Sequence, residues 1–205
     1  GKFSLVESLT LEIPLYKKVN AIEFGGSSGA HEISQLKGSA LLSQIVDRRY
    51  EVMSNGELVG TGIHTPGWVE LSGQESVTTI VPRYFWQNYP KAIEVNPDHL
   101  SISLMPEIQR GGYDREAKNL VEETRLFFHL KEGGHKLKDG MSKRHDILFA
   151  FGNDIDLIPT EYVDSPLKAT VPRKQYAQSG VFGPMSEEPG AWSNEYANTM
   201  YWQIK

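Results

Sequence analysis

Between residues 83 and 95 the chain reads RYFWQNYPKAIEV, its densest run of side chains able to hold a sugar. Tyr84, Phe85, Trp86 and Tyr89 offer flat apolar faces on which a pyranose ring can stack. Arg83 adds a planar fork of donors that matches a carboxylate, and Gln87 and Asn88 add amides suited to hydroxyls. On this reading Trp86 stacks, Arg83 takes a carboxylate, and Gln87 and Asn88 bind hydroxyls. The same residues equally suit a strand start in which Arg83 caps carbonyls and the rings fill the core.

A second group is Lys143-Arg144-His145-Asp146. An imidazole titrates at about 6.5, so His145 could serve as general acid or base near neutral pH. Arg144 could neutralise a uronate carboxylate, which lowers the cost of removing the neighbouring proton. A salt-bridged turn is the plainer alternative. The third group, His64-Thr65-Pro66-Gly67-Trp68, sets an imidazole and an indole in a Gly/Pro loop. His64 and Trp68 could both face a ligand there, or His64 could bond only to backbone.

Other chemistries find little to stand on. His31, His99, His129 and His135 show no spacing that sets two metal ligands on one helix face. Asn153, Asp154 and Asp156 resemble a calcium loop, but the glycine and the terminal glutamate of such loops are missing. No metal and no cofactor are therefore expected. There is no Gly-x-Ser-x-Gly elbow, phosphate-cradling loop or dinucleotide fingerprint, and the paired carboxylates of a glycosidase cannot be picked out.

With 205 residues the chain is long enough to bury a sizeable core. A net charge of −5, with both signs well mixed, gives a nucleic-acid partner no electrostatic support. Cysteine is absent, which excludes disulfides, a thiol nucleophile and cysteine-based zinc sites. No run of about 18 apolar residues exists, so no membrane-spanning helix is expected. No signal peptide is visible, and Gly1 starts almost directly in a strand, as expected of a chain cut from something longer.

The elements that must position these groups have the period of strands. Leu9, Leu11, Ile13 and Leu15 alternate with Ser8, Thr10, Glu12 and Pro14, and Pro14 must lie at an edge or a strand end. Residues 45–53 read as one strand leading into Asn55-Gly56, the dipeptide of a type I′ hairpin, with a return strand through Leu58. Residues 68–71, 77–81, 93–95, 100–104 and 125–130 read as further strands, with a turn at Asn96-Pro97-Asp98-His99 and a hairpin loop at 132–135. In 145–151 apolar residues fall on both faces, which predicts a central strand covered on both sides. The fold class expected is all-β: an antiparallel sandwich of roughly ten or more strands. A proline-rich linker over 152–191 follows it, and then a short terminal helix striped by Trp192, Tyr196 and Met200.

Taken in order, RYFWQNYPKAIEV, LSISLMPE, LKDGMSKRHDILFAFG and YAQSGVFG resemble the middle of the rhamnogalacturonan exolyase-like proteins, over about residues 80–185. That family joins an N-terminal barrel-like domain, a central β-sandwich and a C-terminal α/α toroid. The resemblance implies a seam strand or first sandwich strand at 1–16, the sandwich at 17–158, and a linker with the start of a toroid at 159–205. It implies a parent enzyme that cleaves a uronate-containing polysaccharide by β-elimination, with export to the periplasm or the outside. Partners would be the polymer and the flanking domains of the same protein. Because such lyases carry their catalytic groups largely on the toroid, the chain alone would be inactive. The sandwich residues it brings forward are Arg83, Asn88, Arg144 and His145, of which Arg144 and His145 are the catalytic candidates. Arg83, Trp86, Asn88, Trp68 and His64 are the substrate-binding candidates. A non-catalytic carbohydrate-binding module, stacking sugars on Trp68 and Trp86, is the alternative.

Overall fold

The computed structural model describes residues 2–74, 76–107, 134–152 and 172–181. The chain divides into two compact units, residues 1–165 and 166–205. The first is an all-β, antiparallel sandwich. Its strands are β1 (Phe3–Val6), β2 (Leu9–Pro14), β3 (Ala21–Gly26), β4 (Gly29–Ile33), β5 (Ala40–Val46), β6 (Arg49–Ser54) and β7 (Glu57–Gly62), followed by β8 (Val69–Ser72), β9 (Val77–Pro82), β10 (Lys91–Val95), β11 (His99–Met105), β12 (His135–Lys138) and β13 (Ile147–Gly152).

One sheet runs β2-β11-β10-β5-β6-β7 and the other β13-β9-β8-β3-β4, while β1 and β12 form a separate pair. A single apolar core joins the two sheets. Ile22, Phe24, Val69, Leu71 and Ile80 enter it from the five-stranded sheet, and Leu42, Tyr50, Val52, Ile93, Val95, Leu100 and Ile102 from the six-stranded one. Alternation explains the choice of residue: Ile22 and Phe24 point in while Glu23, between them, points out. Each fully buried large side chain contributes roughly 1.5–3 kcal/mol of transfer free energy, which is what holds two otherwise half-wet sheets together.

Pro14 closes β2, the edge of its sheet, where no ladder partner is owed a donor. Asn55 (φ 51°) and Gly56 (φ 85°) both take the left-handed conformation that the hairpin between β6 and β7 requires. On the outer face of the five-stranded sheet, Glu23 stands in register with Glu32 on one side and Glu70 on the other. Partial burial, then Glu70, then Glu32 raise the pKa of Glu23.

Three expectations are corrected. Residues 45–53 are not one strand: the chain reverses between β5 and β6, where Val46 pairs with Arg49. The strand over 145–151 is not central, because β13 is an edge that pairs only with β9 among the described residues. Its apolar residues on two faces reflect incomplete cover, since Phe149 is 37% and Phe151 76% exposed. Within the stretch read as a linker, α1 (Arg173–Ser179) forms in the second unit, ended by Gly180 in the left-handed conformation. The strand expected at 125–130, the loop residues Glu132 and Gly133, the calcium-like residues 153–156 and the helix expected at 192–200 lie outside the described residues.

Candidate functional site

Two polar side chains replace apolar ones at the end of the sandwich where β5 meets β10. Along β5 the inward series Ala40, Leu42 continues to Gln44, and along β10 the series Val95, Ile93 continues back to Lys91. Lys91 and Gln44 are register partners, and both are buried.

Gln44 is fully satisfied. Its Nε2 faces the carbonyls of Asp47 at 2.7 Å, Ile63 at 3.0 Å and Val46 at 3.1 Å, and its Oε1 accepts from the Thr65 amide at 3.0 Å. The Thr65 hydroxyl then donates to the Gly25 carbonyl at 2.5 Å and accepts from the Gly67 amide. This net fixes the loop of residues 63–68. Gly67, at φ 74°, lies flush on Phe85, so that a Cβ there would stand 1.9 Å from the ring. The close approach sets His64 on Trp86, with ring centroids 3.9 Å apart and planes 12° from parallel. His64 Nε2 is 3.6 Å from the Asp47 carboxylate, and it is buried without a hydrogen-bond partner among the described residues.

Trp86 belongs to the turn of residues 83–88, closed by the Asn88 amide donating to the Tyr84 carbonyl at 2.9 Å. Arg83 opens this turn. Its backbone amide donates to the Asp146 carbonyl at 2.8 Å, and its guanidinium reaches the Asp146 carboxylate at 3.3 Å and the Tyr84 hydroxyl at 3.0 Å. Arg144 holds the other carboxylate oxygen through Nε at 2.8 Å. Its hydrogen bond, more than that of Arg83, keeps Asp146 ionised below the usual carboxylate range. Arg83 Nε is buried and makes no hydrogen bond among the described residues.

Behind this rim lies the group with the most perturbed chemistry. Lys91 Nζ is 3.0 Å from His145 Nδ1 and 3.5 Å from the Leu104 carbonyl. Among the described residues no carboxylate pairs with it. Burial, with Lys143 nearby, pulls the Lys91 pKa down from 10.5 to about 7. Burial, then Lys91 and Lys143, pushes His145 down to about 4 against the weaker pull of Asp146. Shielding of its ammonium also lowers Lys143, which stands on the exposed stretch before β13. His135, whose Nε2 meets the Pro106 carbonyl at 2.8 Å, is lowered by burial and then by Lys143. His145 Nε2 is buried with no hydrogen-bond partner among the described residues. Near pH 7, then, His145 is neutral and Lys91 is divided between amine and ammonium. The pair holds at most one charge, because both cannot be protonated without a buried repulsion.

The structure brings Arg83, Arg144 and His145 together and pairs Trp86 with His64. Arg83 and Trp86 share one turn, so the two groups adjoin through it. Trp68 is not part of a platform with Trp86: among the described residues it forms no ring stack, and its indole lies over Gly25 on the outer face of the five-stranded sheet. Asn88 is seen closing the turn. Lys91 escaped the sequence reading, although a signal existed: it shares parity with Ile93 and Val95 and so must point into the sandwich. A lysine at a core position is a functional candidate by cost alone. No family model matches this chain, and no curated protein is found similar to it.

Proposed function

We propose that this chain is the β-sandwich of a polysaccharide lyase that cleaves a uronate-containing, rhamnogalacturonan-like polymer by β-elimination, lending one side of the cleft to a helical domain of the same protein. The observation that carries this reading is the Lys91–His145 pair, uncharged or singly charged at neutral pH, among Lys143, Arg83 and Arg144. Elimination needs a base of moderate strength beside positive charge, since the proton removed is α to a carboxylate and the enolate gathers charge on that carboxylate.

The pair supplies such a base in two parts. With Nδ1–H donating to the Lys91 amine, the lone pair on the buried, unpartnered Nε2 of His145 takes the α-proton once the substrate opens that edge of the ring. The Nδ1 proton then passes to Nζ, leaving neutral His145 and the Lys91 ammonium. Proton affinity is thus that of Lys91, while the accepting atom is that of His145. Lys143, whose charge acts on both members of the pair, would draw the carboxylate, with Arg83 further along the rim. The C–O bond to the leaving sugar breaks as the double bond forms, with its proton supplied by an acid on the facing domain.

Titration calorimetry with acidic and neutral oligosaccharides tests the binding half. Acidic oligomers should bind, Lys143→Ala should weaken them about tenfold, and neutral oligomers of equal length should bind far less. Equal binding of both, insensitive to Lys143→Ala but lost in Trp86→Ala, would refute the lyase reading and favour a carbohydrate-binding module. The half-buried Trp86, stacked on His64, is the observation that favours that second reading. Turnover is followed by the ultraviolet absorbance of the conjugated, unsaturated uronate.

A further inference from the structure

We infer that Lys91 is a site of reversible carbamylation, in which its amine adds carbon dioxide and the resulting anion is held by the surrounding cations. The argument starts from a charge imbalance. Lys91 is 1% exposed, lies at the inward face of β10, and has no carboxylate partner among the described residues. The ionisable groups facing it are Lys143 and His145, with Asp146, Arg83 and Arg144 next along the rim. Asp146 is already shared between the two guanidinium groups. Among the described residues, then, this buried lysine beside the Lys143 cation lacks the anion that buried charges require.

Carbon dioxide meets the need with the smallest possible reagent. The Nζ lone pair attacks the carbon, a C–N bond forms, and one C=O π pair moves onto oxygen. The nitrogen then loses a proton through His145 to solvent: amine plus carbon dioxide gives carbamate plus H⁺, with no redox change. The product exchanges a cation for an anion at the centre of the cluster. Its oxygens gain Lys143 as counter-charge, and His145, already 3.0 Å from Nζ through Nδ1, is the neighbouring donor. Enclosure protects the carbamate from the acid-catalysed loss that limits exposed ones. The neutral amine that the addition requires is present in quantity at ordinary pH.

This inference concerns the amine and does not depend on the lyase reading. If both hold, the carbamate takes the place of the uronate carboxylate, and carbon dioxide inhibits the enzyme.

The test uses the whole chain equilibrated with ¹³C-bicarbonate at mildly alkaline pH. One carbamate carbonyl resonance is expected in the wild type, lost in both Lys91→Met and Lys91→Arg, and reduced severalfold in Lys143→Met. Trialkyloxonium trapping should place the mass increment on the peptide carrying Lys91. Absence of the resonance in the wild type, or its survival in both Lys91 variants, overturns the inference, and the second result would assign it to another amine such as the N-terminus. The oligouronate titration above decides the lyase reading separately.

Discussion

Replacing Lys91 by methionine should make the protein more stable, although it removes the group placed at the heart of the site. The fall in its pKa from 10.5 to about 7 measures what the fold gives up to bury the ammonium. At about 1.4 kcal/mol per tenfold in proton affinity, it corresponds to about 5 kcal/mol below pH 7, taken as an upper bound. Methionine keeps the alkyl stem and the volume but loses the contacts to His145 and the Leu104 carbonyl, at about 1 kcal/mol each. A net gain of roughly 2–3 kcal/mol at pH 6 follows, in line with other replacements of buried charge by apolar groups. The sign of the pH dependence is fixed too. Between about 7 and 10.5 the unfolded chain binds a proton that the folded one does not, so wild-type stability rises with pH across that window. Urea denaturation at pH 6 and pH 9.5 reads both effects. The gain from Lys91→Met should be largest at pH 6 and fade toward pH 9.5. A variant less stable than wild type at pH 6, or a gain independent of pH, would show that Lys91 is paired or solvated and that the reasoning fails.

Two further substitutions probe the loop and the rim. Gly67→Ala must put a Cβ at 1.9 Å from Phe85 on a backbone at φ 74°, so it should cost about 3 kcal/mol and unseat His64 from Trp86. Denaturant midpoints and Trp fluorescence report the two effects, and unchanged values of both would remove the close approach from the account. Arg144→Ala severs an ion pair in which Arg144 itself is 87% exposed, so stability should change by less than about 1 kcal/mol. In the proposed lyase that variant and His145→Ala should each lower turnover without unfolding the protein. Wild-type rates in both would take them out of the site.

Where side chains alternate strictly, the fold could be read directly. Leu100 and Ile102 alternating with serines, or Asn55-Gly56 between two strands, leave one solution each. Strand order was not readable, because an apolar residue on a second face looks alike whether it is covered or left open. Leu148 and Ala150 suggested a central strand, yet β13 is an edge with Phe151 largely exposed. The reversal at Asp47-Arg48 was hidden for a related reason: it uses neither glycine nor positive φ and so leaves no mark. At the site, the motif residues Arg83, Arg144 and His145 were visible by type, and Asp146 joined them through pairing across β9 and β13. Lys91 was concealed by its surroundings, since one lysine beside a proline reads as surface until the parity of Ile93 and Val95 is carried back to it.

The three glutamates on the outer face of the five-stranded sheet give the molecule a second, opposed preference. Glu23 holds its proton more tightly folded than unfolded, so acid relieves that face just as alkali relieves the enclosed amine. One body thus carries a site that welcomes protons and another that sheds them, and the two together are least relieved at the intermediate acidity where Glu23 has lost its proton and Lys91 still holds one.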